Sequence, residues 1–315
     1  MPASRRAKLP AMRARIRDTE IFFDVDGPSV VLDGTCQRER PTAFLIHGGP
    51  GMDHLSLKPR YGSLRERMQL VFFDHRGHGR SAKNDPRSYC LDENVEDMEA
   101  LRRHLGLEQI VSVGTSYGGM VAMAHAARYP DRVSHLILVA TTAQPGNIVR
   151  ARQIVAERGT LDQIAQCDDL YGGRIDTPER MRRYFEVMLP LYARRADPGL
   201  SSAALQQAIL SPEPLNRAHG PGGFLHRLDL RPELCKITAA TLILAGRHDW
   251  ICQPEFSEEI HRLIPGSDLR VFEGAGHSLC GDEPQNFSDA VAGFLVYKNR
   301  SGASNFKMPA IDQMS

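Results

Sequence analysis

Five short runs, residues 44–46, 70–73, 110–113, 136–139 and 242–245, are apolar on consecutive positions, with Ser112 the one polar residue among them. An alternating strand can leave one face in water. A continuously apolar one needs cover on both faces, as the central strands of a parallel sheet have. Helix-length segments lie between and after these runs, at 93–105, 117–129, 255–264 and 283–297, and Pro130 and Pro265 close the second and third. Strand and helix in alternation specify the α/β class. Residues 269–272 alternate instead, which suits a less covered edge. Residues 21–25 and 30–32 flank Asp26-Gly27-Pro28 and read as an opening hairpin, making the sheet mixed at its first edge.

The stretch 146–232 breaks this rhythm: it holds helical segments such as 180–189 and several Pro and Gly interruptions, but no buried strand. Strand runs resume at Thr241, so the stretch reads as a helical insertion placed above the carboxyl ends of the strands, a cap over the site. The 315 residues divide into a disordered basic arm (1–17), a core (18–145 and 235–298), a helical cap (146–234) and a flexible tail (299–315).

Charged residues are 24% and hydrophobic residues 42% of the chain, an ordinary globular composition that excludes collagen-like, coiled-coil and wholly disordered readings. No run approaches the roughly 18 apolar residues of a membrane-spanning helix. Six basic residues precede the first acidic one, Asp18, which leaves 33 basic against 38 acidic in the remainder. The body therefore lacks the basic footprint of a nucleic-acid binder. The arm reads as a disordered leader or an over-long start ahead of Met12, with a targeting segment as the alternative. The six cysteines contain no CxxC, so neither a zinc site nor a disulfide framework is signalled, and a cytoplasmic setting is expected.

Gly114-Thr115-Ser116-Tyr117-Gly118 follows the run 110–113 directly and opens the helical segment at Tyr117. A GxSxG pentapeptide alone is a weak signal; between a strand and a helix it places serine on a sharp turn that lifts the hydroxyl over the sheet edge. The helix points its amino end at this position, and the Tyr117 backbone N–H is available to a developing oxyanion. A serine hydroxyl is a poor nucleophile until a base takes its proton. Asp249 follows the run 242–245, and His277 follows 269–272, each at the carboxyl end of a strand. His277 is the candidate base and His248 its nearest rival. His47-Gly48-Gly49-Pro50-Gly51 comes off the run 44–46, where glycine lets backbone approach a substrate carbonyl, so the Gly49 N–H is the second candidate oxyanion donor.

The loop 47–51, the segment Asp74-His75-Arg76-Gly77-His78-Gly79-Arg80-Ser81, the Ser116 turn, Asp249 and His277 together resemble the proline iminopeptidase-like branch of the α/β-hydrolase superfamily over about residues 20–298. The order Ser, Asp, His is that superfamily's. The resemblance implies an α/β-hydrolase fold: a mostly parallel eight-stranded sheet flanked by helices, with a helical cap subdomain, a serine acyl-enzyme mechanism, no cofactor and no metal. Asp74, Arg76 and Ser81 are expected to brace loops. Family members that cleave N-terminal proline carry a cap segment resembling Gly-Pro-Asn-Glu-Phe, whose glutamate pairs with the substrate amine. Here the segment is Gly220-Pro221-Gly222-Gly223-Phe224, so an ammonium would lose its charge partner unless Glu186 or Glu213 compensates. The usual tryptophans are also reduced to Trp250.

These residues predict a serine hydrolase for a small carboxylic ester or amide, with Ser116, Asp249 and His277 catalytic and Gly49 and Tyr117 forming the oxyanion hole. His47, Gly48, Phe185, Leu189, Tyr192, Phe224 and Trp250 are candidates for the substrate wall. The alternatives are a prolyl aminopeptidase acting on short peptides, a lactonase or carbon–carbon hydrolase, and a non-catalytic protein of the same fold. A monomer or small homo-oligomer, with neither nucleic acid nor membrane as partner, completes the expectation.

Overall fold

Gly48 and Ser116 meet because their loops leave neighbouring strands of one sheet. The computed structural model describes residues 12–195 and 205–301, with side chains through 295; the arm before Met12 and the tail beyond Ser301 lie outside the described residues. In chain order the strands are β1 (Met12–Ile16), β2 (Thr19–Asp26), β3 (Val30–Asp33), β4 (Cys36–Glu39), β5 (Thr42–Ile46), β6 (Gln69–Phe73), β7 (Ile110–Thr115), β8 (Val133–Val139), β9 (Ala240–Gly246) and β10 (Asp268–Phe272). Eight of them form a single sheet in the order β1-β2-β6-β5-β7-β8-β9-β10. From β6 to β10 every pairing is parallel, and β1 and β2 are antiparallel. The edge expected for residues 269–272 is β10, paired only with β9.

Alternate residues of the central strands face opposite ways into two separate apolar clusters. Phe44, Ile46, Leu136 and Leu138 enter one, while Ala43, Leu45, Ile137 and Val139 enter the other. This is why the runs are apolar without a break. The helices are α1 (Lys58–Tyr61), α2 (Leu91–His104), α3 (Tyr117–Arg128), α4 (Gly146–Arg158), α5 (Leu161–Tyr171), α6 (Pro178–Tyr192), α7 (Pro212–His219), α8 (Pro254–Leu263), α9 (Leu279–Asp282) and α10 (Pro284–Ser301). Residues of α2, α3 and α8 contribute to the first cluster, and those of α1, α9 and α10 to the second. Helices α4 to α7 lie in the chain between β8 and β9, and their buried apolar residues join the first cluster.

Three expectations need correction. Residues 12–16, assigned to the basic arm, are β1: Ala14 and Ile16 are buried against the first cluster while Arg13 and Arg15 face outward. The opening hairpin pairs differently. Both edges of β2 are occupied, by β1 and β6, so Val30–Asp33 pairs with Cys36–Glu39 in a separate two-stranded sheet. Residues 299–301, placed in the tail, continue α10.

Candidate active site

The turn from β7 to α3 holds Ser116 at φ 55° and ψ −121°, a conformation that L-residues rarely adopt. The flanking glycines are steric requirements. A Cβ at Gly114 would lie 2.4 Å from the Gly118 carbonyl oxygen, and one at Gly118 would lie 2.1 Å from that of Ile46. The strained residue is held on both sides: its N–H donates to the Val139 carbonyl (2.9 Å), and its own carbonyl accepts from the Thr141 hydroxyl (2.7 Å) and the Gly119 N–H (2.9 Å). The orphan amides at the amino end of α3, that of Tyr117 first, carry partial positive charge beside the Ser116 side chain.

The loop after β5 passes close to this turn. A Cβ on Gly48 would come within 3.1 Å of Ser116 Cβ, and Gly49 lies at φ 115°. His47 braces the loop from below, its Nδ1–H donating to the Gly48 carbonyl (2.8 Å) while Nε2 accepts from the His75 N–H (3.1 Å). Burial pushes the His47 imidazole below its usual range, which keeps it neutral, and its two hydrogen bonds fix this tautomer. Asp74, Arg76 and Ser81 extend the bracing. Asp74 accepts from His54 and the Arg80 N–H, the fully buried Arg76 grips Asp97 at 2.6 and 2.7 Å, and the Ser81 hydroxyl donates to the Asp74 carbonyl.

His277 Nδ1 donates to Asp249 Oδ2 at 2.7 Å, and Asp249 Oδ1 accepts from the backbone of Ile251 and Cys252, each at 2.9 Å. With Nδ1 carrying the proton, the neutral ring offers Nε2 as an acceptor. The His277 loop is fixed by Asp282 of α9, whose carboxylate accepts from the Gly276 N–H and from those of Arg194 and Arg195, just beyond α6. Cys252 and Ser116 line the same small space, and burial holds the Cys252 thiol well above its ordinary range, hence protonated. Donor atoms of Asp249, Cys252 and His277 lie within 4.8 Å of one another. The first and last are spent on each other and the thiol keeps its proton, an arrangement suited to proton transfer rather than to holding a cation.

Ser116 and His277 open onto one cavity of about 260 Å³. Gly48, Phe185, Leu189 and Tyr192 line it. His47, Trp250 and Phe224 do not: the first is enclosed by its bracing bonds, Trp250 is buried behind Tyr192 at 5.4 Å, and Phe224 packs at a tilt on Tyr117 and faces an outer cavity of about 700 Å³ with Glu213. Residues the sequence left unmarked complete the wall, among them Met52, Leu170, Tyr184, Leu215, Ile251 and His219, with Arg60 exposed at the rim; Glu186, the carboxylate considered above for a substrate amine, is exposed at the rim as well. His248, the rival base, donates its backbone N–H to Ala275 and leaves the Asp249 contact to His277.

The family described as alpha/beta hydrolase fold matches residues 41–284. The chain belongs to the α/β-hydrolase family. A proline iminopeptidase of Pestalotiopsis fici, PfmaB, is 31% identical over 82% of this chain and 92% of its own. The sn-1-specific diacylglycerol lipase ABHD11 of Mus musculus is 29% identical over 81% of each chain. The crystal structure of a Mycobacterium smegmatis proline iminopeptidase superposes with a TM-score of 0.73 at 22% identity, covering 92% of this chain and 99% of that one. Within the α/β-hydrolases the chain falls in the proline iminopeptidase-like branch. None of the described helices is long and apolar enough to cross a membrane.

Proposed function

We propose that this α/β-hydrolase cleaves a small, uncharged carboxylic ester or amide through an acyl-enzyme, with Ser116 as nucleophile, His277 as base and Asp249 as the group that orients it. The observation that carries this reading is that Ser116, on its strained turn, and His277, bonded to Asp249, share one cavity. In acylation His277 Nε2 takes the Ser116 proton as Oγ bonds to the carbonyl carbon; the carbonyl oxygen becomes an oxyanion facing the Gly49 and Tyr117 amides. Collapse breaks the bond to the leaving group, which receives that proton. Water then repeats the sequence on the acyl-enzyme and releases the acid.

The cavity wall supports an uncharged acyl group, since most of its side chains are apolar or aromatic. Gly223 argues further against an ammonium partner in the segment 220–224. A Cβ there would sit 2.2 Å from the Ala218 carbonyl oxygen, so no side chain fits without moving the backbone. Prolyl aminopeptidase is the second reading, favoured by the P. fici relative and by Glu186 at the rim. The discriminating measurement is kcat/KM for p-nitrophenyl butyrate against prolyl p-nitroanilide, with Ser116→Ala as blank. Serine-dependent turnover of the butyrate alone supports the esterase; preference for the prolyl anilide overturns it in favour of the aminopeptidase. A fluorophosphonate that leaves Ser116 unlabelled in folded protein would sink both. All six cysteines are free, which supports a reducing, cytoplasmic setting.

A further inference from the structure

Beside Ser116 a small branch adjoins the main cavity, and Gly49, Ser116, His219 and Ile251 line both spaces. Its volume of about 20 Å³ matches one water-sized group. Tyr171 and His219 are among the residues that line it, and the Tyr171 hydroxyl and His219 Nδ1 are buried without a hydrogen-bond partner among the described residues. Such sealed, unpaired groups are uncommon in folded proteins and call for an explanation. We propose that this branch is an acyl subsite for one oxygen substituent, a hydroxyl or oxo group on the α- or β-carbon next to the scissile carbonyl, held by His219 and Tyr171.

The chemistry of the two side chains fits a neutral oxygen. Burial, the largest influence, lowers the His219 imidazole to about 4; the nearby His226 pushes the same way and the Gly49 backbone opposes it. At neutral pH the ring is therefore uncharged, and its unpartnered Nδ1 is the nitrogen left for a neutral group. Burial likewise holds the Tyr171 phenol in its protonated form. The pair is pre-set: the rings meet edge to face at 6.0 Å and 71°, and the His219 carbonyl accepts from His226 Nε2 at 2.8 Å. His219 ends α7, so the segment between β8 and β9 delivers this contact to the nucleophile's side of the cavity. An ammonium finds no counter-charge in this pair, whereas a hydroxyl satisfies both groups at once.

This inference rests on the serine hydrolase reading, and one experiment separates the two. Methyl butyrate, methyl 2-hydroxybutyrate and methyl 3-hydroxybutyrate are compared by pH-stat in the full-length enzyme, Ser116→Ala, His219→Phe, His219→Gln and Tyr171→Phe. The wild type is expected to favour at least one hydroxy ester over butyrate by tenfold or more in kcat/KM. His219→Phe and Tyr171→Phe should each cut that ratio at least fivefold, and His219→Gln should restore part of it. Tyr171→Phe, which removes a single oxygen, carries the test should His219→Phe not fold. A wild type without hydroxyl preference, or variants that depress all three esters in proportion, would overturn the subsite. Turnover that survives Ser116→Ala would overturn the reading beneath it.

Discussion

Ser116 sits in a backbone conformation that glycine adopts freely and other residues reach only under strain of about 1–3 kcal/mol. Ser116→Gly and Ser116→Ala both remove the hydroxyl, but only the glycine variant releases the strain. Ser116→Gly is expected to be the more stable of the two by about 1 kcal/mol in urea unfolding, and equal midpoints would show that no strain is stored there. A second residue reports on pH. His54 is fully buried with Nδ1 2.7 Å from Asp74 and Nε2 3.0 Å from Asp24. Burial, the largest influence, opposes its charge, yet the two carboxylates outweigh it and raise the imidazole to about 9. The folded-state value lies above the unfolded one, so this stabilisation is complete below pH ~6.5 and is lost as pH rises through 9, by at most about 3 kcal/mol. Unfolding free energy should fall across that window in the wild type, and His54→Gln should flatten the decline. At this scale the sequence spoke where chemistry ties a residue type to a strand end, as for Asp249 and His277. It was silent on His219 and Cys252, which nothing nearby in the chain marks and which only the fold brings to the space that Ser116 lines.

Elements were legible in proportion to how their burial differs from their surroundings. β5 to β9, apolar along nearly their whole length, stood out because both faces are covered. β1 did not, because two of its five residues are arginines pointing outward and only Ala14 and Ile16 bury. The path of the segment between β8 and β9 was equally hidden, since its docking depends on hydrogen bonds between distant loops. Ser211, at the start of α7, donates its N–H to the Gly51 carbonyl at 2.8 Å, so the glycine loop is gripped from above. Asp282 does the same for the His277 loop, joining Gly276 to the residues after α6 through three backbone donors. Asp282→Ala strands the buried Gly276 donor and releases the two exposed ones, of Arg194 and Arg195, and is expected to cost about 2 kcal/mol. It should also lower kcat/KM for p-nitrophenyl butyrate at least tenfold, because His277 loses the support that sets its position. A variant destabilised to that extent but fully active would show that the His277 loop holds its geometry unaided.

On the scale of the whole molecule, the sheet and the helical segment above it are two walls of one cavity: Gly48, Ser116 and His277 belong to the first, Phe185, Leu189 and Tyr192 to the second. A group bound there bridges both walls in the folded state and neither in the unfolded chain, so its burial appears directly as stability. A covalent phosphonate on Ser116 removes the cost of association and leaves only the contribution of its tail. Three further methylenes, from methyl to butyl, contribute about 2 kcal/mol when buried, or roughly 5 °C in Tm. The butyl adduct is therefore expected to melt a few degrees above the methyl adduct. An adduct of similar length ending in trimethylammonium should gain less, since the apolar wall gives the cation no compensation for lost hydration. The opposite order, with the ammonium-tipped adduct melting highest, would place Glu186 in the role that Gly223 cannot fill and make the amine, not the acyl chain, what this cavity selects.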